Sequence, residues 1–236
     1  MADLLSLLTL AVCFIAVLVL LKCFGGSGLL VYAAVAVVVS NLQVLKLTQY
    51  AFTEHPVALG TVVFSTIFAV DNILTEYFGK ETAKKCVWLS FCAYLFFAVT
   101  MKIAVCHPPM PHSECLNLHR EMESLFSPSL TILTSSLISY VLSQLIDIFV
   151  FSKLKKLTKG KYLSCRSLIS MMISAFADNL IFSALAWVVF AECPVSWAVL
   201  WKTYICVTYL LRLFIAALCV PLVRIAGILM PRRLDV

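Results

Sequence analysis

Residues 130–151 read LTILTSSLISYVLSQLIDIFVF, a run of 22 residues in which the one charged side chain is Asp147. A helix of that length covers about 30 Å of hydrocarbon, the thickness of a bilayer core. Within the run Ser136, Ser139, Ser143 and Asp147 step by three and four, and so do Tyr140, Gln144 and Asp147. Residues spaced in this way share one helix face. The stretch is predicted to cross a membrane as a helix with a single polar stripe.

Six further runs have the same character: residues 4–24, 29–47, 57–77, 86–105, 168–190 and 197–223. The expected fold is an all-α, polytopic membrane bundle of about seven spans, forming one transmembrane domain over residues 1–236. Composition agrees. The chain is 62% hydrophobic and 13% charged, with mean hydropathy +1.02, whereas soluble domains carry about 25% charged residues. Too little polar material is present to coat a water-facing surface, so lipid is the expected solvent.

The first run is read as a retained span rather than a signal peptide. No Lys or Arg precedes it, and no small-residue cleavage site follows it. The glycines at 25, 26 and 28 predict a tight hairpin into the second span. The ten cysteines fall mostly inside apolar runs, where Cys behaves as a small hydrophobe. Only Cys106, Cys115 and Cys193 lie in or near loops. The longest connection, residues 106–128, holds four prolines and is expected to be irregular.

Basic residues set the orientation. Lys22 follows span one; Lys80, Lys84 and Lys85 follow span three. Lys153, Lys155, Lys156, Lys159, Lys161 and Arg166 follow span five, and Arg224, Arg232 and Arg233 follow span seven. All share one face if the N-terminus is outside and the C-terminus cytoplasmic. The other face carries Glu54, Glu114, Glu121, Glu123 and Glu192, with Arg120 its only basic loop residue. The basic loop at 153–161 is read as an inner-leaflet anchor, not a nucleic-acid surface.

Other spans carry polar groups at bilayer depth: Ser40, Asn41, Gln43 and Lys46 in the second; Asp71, Asn72, Thr75 and Glu76 in the third. The sixth has Ser170, Ser174, Asp178 and Asn179, and the seventh Lys202, Tyr204, Thr208, Tyr209 and Arg212. Serine stripes alone are accounted for by interhelical hydrogen bonds. Carboxylates at this depth are costly, and one or two cations do not neutralise Asp71, Glu76, Asp147 and Asp178. Some must be protonated, hydrated or occupied by a ligand. Asp71-Asn72 and Asp178-Asn179 also echo one another, a short hint of internal repetition.

These residues, taken in order, resemble the queuosine precursor transporter family, formerly a vitamin uptake family, from about Ala33 to Leu229. Ser40-Asn41-Leu42-Gln43 with Lys46 resembles its second-span motif. The segment from Asp71 through Thr75-Glu76-Tyr77-Phe78-Gly79 resembles its third-span signature, with Ala83-Lys84-Lys85 after it. Ser139-Tyr140 through Ser143-Gln144 and Asp147, with Phe151 and Lys153-Leu154-Lys155, is similar to the fifth. Ser174 with Asp178-Asn179 is similar to the sixth, and Arg212 stands where the family carries Lys or Arg ahead of Pro221. Two departures stand out: Asn179 replaces an expected Thr or Ser, and the first span (4–24) is absent from the shortest relatives, leaving a family-like core at 29–230.

The resemblance implies import of a 7-deazaguanine base across the bacterial cytoplasmic membrane for tRNA queuosine modification. The cargo would be the 7-cyano or 7-aminomethyl derivative, or queuine. A carboxylate can accept the paired donors of a guanine-type edge. The expected substrate contacts are Asn41, Gln43, Phe68, Asp71, Glu76, Tyr140, Gln144, Asp147, Asp178, Asn179 and Arg212. Asp71 or Asp178 would meet the base edge, with Gln144 and Asn41 as amides, and Arg212 would either hold Asp147 or reset the charge during alternating access. Phe64, Phe68, Tyr140 or Phe176 would stack on the ring. The partners are thus a purine-like small molecule and the bilayer, with no nucleic acid and with assembly into a homo-oligomer left open; no cofactor, resident metal or catalytic residue is expected.

Three rival readings use the same chain. An intramembrane aspartyl protease would pair two acids, but Val70 and Ala177 precede Asp71 and Asp178 where such enzymes carry Gly. A carrier or substrate-capture subunit for another heterocycle or vitamin would also need a polar pocket. A metal carrier would use Cys106, His107, His112, Cys115 and His119 in the outer loop; no Walker-type phosphate loop is present. Orientation gives the first prediction. A membrane-impermeant maleimide applied to intact cells modifies Cys115 and leaves Cys165 untouched until the membrane is permeabilised, as read by peptide mass spectrometry; the reverse labelling would invert the topology.

Overall fold

Apolar side chains cover the outside of this protein and polar ones are packed within. In the computed structural model, Leu4, Phe96, Phe149 and Phe214 are exposed while Ser143, Gln144, Asp147 and Ser174 are fully buried. That reversal of the soluble pattern is what a lipid solvent selects. The structure describes residues 2–51, 56–126, 130–191 and 194–230, with the side chains of 130 and 202–204 excepted. Glu54, Glu192, Cys193, Arg232 and Arg233, and the side chains of Lys202 and Tyr204, lie outside the described residues.

Among the described residues, five helices are long and apolar enough to cross a membrane. The first, α1 (Ala2–Gln43), is a hairpin of two antiparallel arms rather than one rod. Gly25 breaks it at φ 60°, ψ −138°. Leu20 and Gly28 are then so close that a Cβ on Gly28 would lie 2.3 Å from the Leu20 carbonyl oxygen. At the open end Ser6 Oγ and Tyr50 Oη meet at 3.0 Å, and the Ala51 N–H donates to Asp3 Oδ1 at 3.3 Å.

A two-residue ribbon follows, with β1 (Leu47–Thr48) antiparallel to β2 (Val57–Ala58) and Leu47 opposite Ala58. Helix α2 (Thr61–Ile73) continues as a π-helical turn, Leu74–Phe78, so the third expected span divides into two helical forms. Helix α3 (Lys80–Cys106) is a long membrane helix. The connection after α3 then departs from the expectation of an irregular loop, because Ser113–Phe126 forms helix α4. Its prolines all lie outside the helix, and Leu118, Met122 and Leu125 give it one apolar side.

Helix α5 (Leu130–Leu157) packs along α6 (Leu163–Ala184), which continues as a π-helical segment, Leu185–Val189. A short α7 (Trp197–Val199) and a third π segment, Leu200–Ile205, lead into α8 (Cys206–Leu229), which packs on α2 and α6. One end of the bundle gathers the α1 turn, where Gly26 abuts Phe78, with Glu76, Lys155, Arg166 and Gly160. The first arm of α1, and therefore Asp3 and Ser6, begins at the opposite end.

Two close approaches fix the bundle. At Gly60 an added Cβ would fall 2.1 Å from the Ser40 carbonyl oxygen, as close as the contact at Gly28. Gly28→Ala or Gly60→Ala therefore destabilises the protein by about 1–3 kcal/mol or more through overpacking. Ser27→Ala, at an exposed position, stays within about 0.5 kcal/mol of wild type. Unfolding of the purified protein in detergent with increasing sodium dodecyl sulfate measures all three.

Candidate functional site

A cavity of about 710 Å³ lies where the second arm of α1 and helices α2, α5, α6 and α8 converge, with α3 and the end of α4 beside it. Small-molecule pockets fall in this size range. Its polar wall is Asn41, Ser136, Ser139, Asp178, Asn179 and Arg212; its aromatic wall includes Phe64, Phe97, Phe126, Phe182 and Trp187.

The centre of the polar wall is an ion pair. Arg212 Nη1 donates to Asp178 Oδ2 at 2.5 Å, with both side chains about nine-tenths buried or more. Asp178 Oδ1 lies 2.6 Å from Ser139 Oγ and 3.1 Å from Ser143 Oγ, neighbours one turn apart on α5. The Arg212 guanidinium lies over the Phe64 ring, 5.3 Å from its centroid. A carboxylate held by two hydroxyls and a guanidinium is pre-oriented, which favours binding because little ordering remains to be done. Asn41 is fixed in a similar way: its Nδ2 donates to the Val37 carbonyl at 2.8 Å and its Oδ1 accepts from Ser136 at 2.7 Å. Asn179 Nδ2 donates to the Ile205 carbonyl at 2.8 Å, tying α6 to the segment before α8.

Of the expected contact residues, Asn41, Asp178, Asn179 and Arg212 line the cavity. Phe68 is buried behind it, edge-on to Phe64 with centroids 5.8 Å apart. Asp71, Tyr140, Gln144 and Asp147 form a separate buried group outside the lining. Gln43 lies at the end of α1, half-buried. Glu76 is distant from the cavity: Arg166 grips it with two bonds of 3.1 and 3.2 Å, and Lys155 adds a contact of 3.1 Å. Arg212 meets Asp178, not Asp147, whose Oδ1 instead accepts from Ser174 Oγ at 2.5 Å. Phe176 packs on Trp201 and Tyr209, outside the lining.

Arg166 follows directly on the basic loop in sequence, yet it is 1% exposed. A usable signal was present: Arg166, Ser170, Ser174 and Asp178 step by four and so share one face of α6. Phe182 and Trp187 carry no local signal beyond their apolarity. Among the described residues, no three His, Cys, Asp or Glu side chains come together to hold a metal, and Cys106 and Cys115 are free thiols.

With this geometry in place, comparison with known proteins becomes specific. The family model described as "Putative vitamin uptake transporter" matches residues 58–226. A protein of Bacillus subtilis (strain 168) named "Probable queuosine precursor transporter" is 29% identical over 210 residues, covering 88% of this chain and 87% of the relative. A protein of Haemophilus influenzae with the same name is 28% identical over 156 residues, covering 66% of this chain and 62% of the relative. No solved structure matches the chain. A match across most of the helical core, together with several membrane-length helices around a polar cavity, makes this a multi-pass transport protein of the bacterial inner membrane, and the chain belongs to the vitamin uptake transporter family that includes queuosine precursor transporters.

Proposed function

We propose that the chain imports a 7-deazaguanine base, a queuosine precursor, and that the base binds in the cavity beside Asp178 and Arg212. The observation that carries this reading is the adjacency of an oriented carboxylate and guanidinium on the wall of an aromatic cavity. A guanine-type edge presents an acceptor oxygen beside an N–H and an exocyclic amine. Arg212 offers N–H donors beyond the one given to Asp178, and Asp178 keeps an acceptor position on Oδ2 beyond those its present donors occupy. The two side chains together complement that edge, and buried polar recognition of this type rejects analogues lacking the matching groups.

The flat rings supply the remainder of the fit. Phe64, already under the Arg212 guanidinium, can stack on a heterocycle, and the cavity leaves room for a substituent at the 7-position. Asn41 and Asn179 complete the amide set. In this reading the cavity faces outward and the basic end of the bundle is cytoplasmic, giving seven crossings as α1 contributes two. The whole chain acts as one transmembrane domain, no side chain is assigned a catalytic step, and a homo-oligomer is not needed to complete the site. The names of the two relatives support the substrate class.

The test is tRNA queuosine content in a host lacking both precursor synthesis and its own transporter, fed each candidate base in turn. The wild-type gene restores queuosine with at least one 7-deazaguanine base. Phe64→Leu raises the concentration needed about tenfold, in line with base–aromatic stacking of about 1–3 kcal/mol. Asp178→Asn abolishes rescue while the protein remains present in the membrane by immunoblot. Full rescue by Asp178→Asn, or no rescue by wild type with any base, would remove the assignment.

A further inference from the structure

Beside the cavity, but outside its lining, α2 and α5 enclose a second set of polar side chains. Phe64 on α2 meets Tyr140 on α5 edge-on, with ring centroids 6.1 Å apart. Asp71 and Asp147, 1% and 0% exposed, each lie two turns further along these two parallel helices, which places them at one level. Gln144 stands between Tyr140 and Asp147 on the same face of α5, so it too faces Asp71. Thr75 follows Asp71 by four residues, within the π-helical turn that ends α2.

These groups are buried without hydrogen-bond partners: both oxygens of Asp71, Asp147 Oδ2, both amide atoms of Gln144, Tyr140 Oη and Thr75 Oγ1. Buried polar atoms are nearly always paired, so a concentration of unpaired ones facing each other points to a ligand. The cations nearest to hand are engaged elsewhere, Arg212 by Asp178 and both Arg166 and Lys155 by Glu76. Among the described residues, no Lys or Arg forms an ion pair with Asp71 or Asp147.

Neighbouring carboxylates in a dry interior call for positive charge. A proton would engage a carboxyl oxygen and leave the amide oxygen and both hydroxyls unanswered. A small metal cation would take these oxygens together, though not the Gln144 Nε2 donor, and an all-oxygen ligand set selects a hard ion. Among hard ions, Mg²⁺ gives up its water reluctantly. The cost of dehydration rises steeply with ionic charge, which favours a monovalent ion inside a bundle surrounded by lipid. The π turn is a further mark, since such turns recur at functional positions in helices.

We propose that Asp71, Thr75, Tyr140, Gln144 and Asp147 form a sodium site separate from the substrate cavity, and that sodium bound there drives the carrier. The two sites share a ladder of hydroxyls. Ser143, one turn before Asp147 on α5, reaches Asp178, and Ser174, one turn before Asp178 on α6, reaches Asp147. Occupying one site therefore bears on the helix contacts that shape the other. The inference rests on the carrier reading and does not depend on which base is carried.

The experiment uses the purified full-length protein in detergent, without any base. Sodium chloride replaces choline chloride or potassium chloride at constant ionic strength, and the thermal midpoint is followed. A ligand that binds only the folded form raises that midpoint. The expected result is a saturable upward shift with sodium, absent with choline or potassium and absent in Asp71→Asn and Asp147→Asn. Thr75→Val keeps the side-chain shape, guards against misfolding of the acid variants, and raises the half-saturating sodium concentration about tenfold. No sodium-specific shift in wild type would overturn the proposal, as would a shift with pH alone or unchanged half-saturation in Thr75→Val. Failure here leaves the cavity assignment intact, whereas failed queuosine rescue leaves the sodium measurement unaffected.

Discussion

One polar face of α6 holds the bundle together, because lipid offers no water to any charge that lies within it. Arg166, Ser170, Ser174 and Asp178 stand one above another along this face. Arg166 answers Glu76 at the end of α2, Ser170 gives a bond to Asn72 Oδ1 at 3.1 Å, Ser174 reaches Asp147 on α5, and Asp178 takes Arg212 from α8. Three neighbouring helices, α2, α5 and α8, are thus oriented by one stripe. Hydrophobic attraction cannot do this work in hydrocarbon, where helix surface and lipid tail are equally apolar. Polar complementarity and close packing decide which face meets which. The two ends of the stripe are ionic, and removing one partner from a buried ion pair leaves an unanswered charge, a loss of about 3–5 kcal/mol.

The same stripe explains a correspondence between the two halves of the chain. Asp71-Asn72 and Asp178-Asn179 each sit near the end of a regular helix, followed by a π-helical segment at Leu74–Phe78 or Leu185–Val189. Each Asn ties its helix to another: Asn72 Nδ2 donates to Ser167 Oγ at 3.1 Å, and Asn179 Nδ2 to the Ile205 carbonyl. Glu76 meets Arg166 at the beginning of α6, while Asn72, one turn earlier on α2, meets Ser167 and Ser170 farther along it. The two helices therefore run in opposite directions. An acid–amide pair repeated on antiparallel helices is the arrangement expected of inverted repeats in carriers, whose sites lie at the repeat interface.

The helical architecture was legible because burial in lipid demands about 20 apolar residues at a time, and each such run is visible without any tertiary information. The polar stripes were legible for a similar reason, since Ser139, Ser143 and Asp147 reveal their common face by spacing alone. Pairing was not. Nothing local distinguishes Asp147 from Asp178 as the partner of Arg212; the choice depends on where α8 lies against α6 and α5. Arg166 was hidden by its neighbours, because a cation following Lys159 and Lys161 reads as the end of a solvated loop. Helix α4 was hidden by prolines that flank it, although the spacing of Leu118, Met122 and Leu125 carried a helical period.

The cavity and the inner acids cannot be treated as independent features. Ser143 contacts Asp178 and is followed one turn later by Asp147; Ser174 contacts Asp147 and is followed one turn later by Asp178. This crossed arrangement means that sliding α5 along α6 stretches both contacts together. Under the proposed function, a substrate competing for Asp178 would loosen Ser143, and that change would reach the segment of α5 bearing Asp147 without any further connection. Coupling between sites requires an element with alternative arrangements that both ligands bias. The α5–α6 contact has the required form: its hydrogen bonds are short-range and directional, its serines are small enough to permit sliding, and each end of the ladder carries an acid.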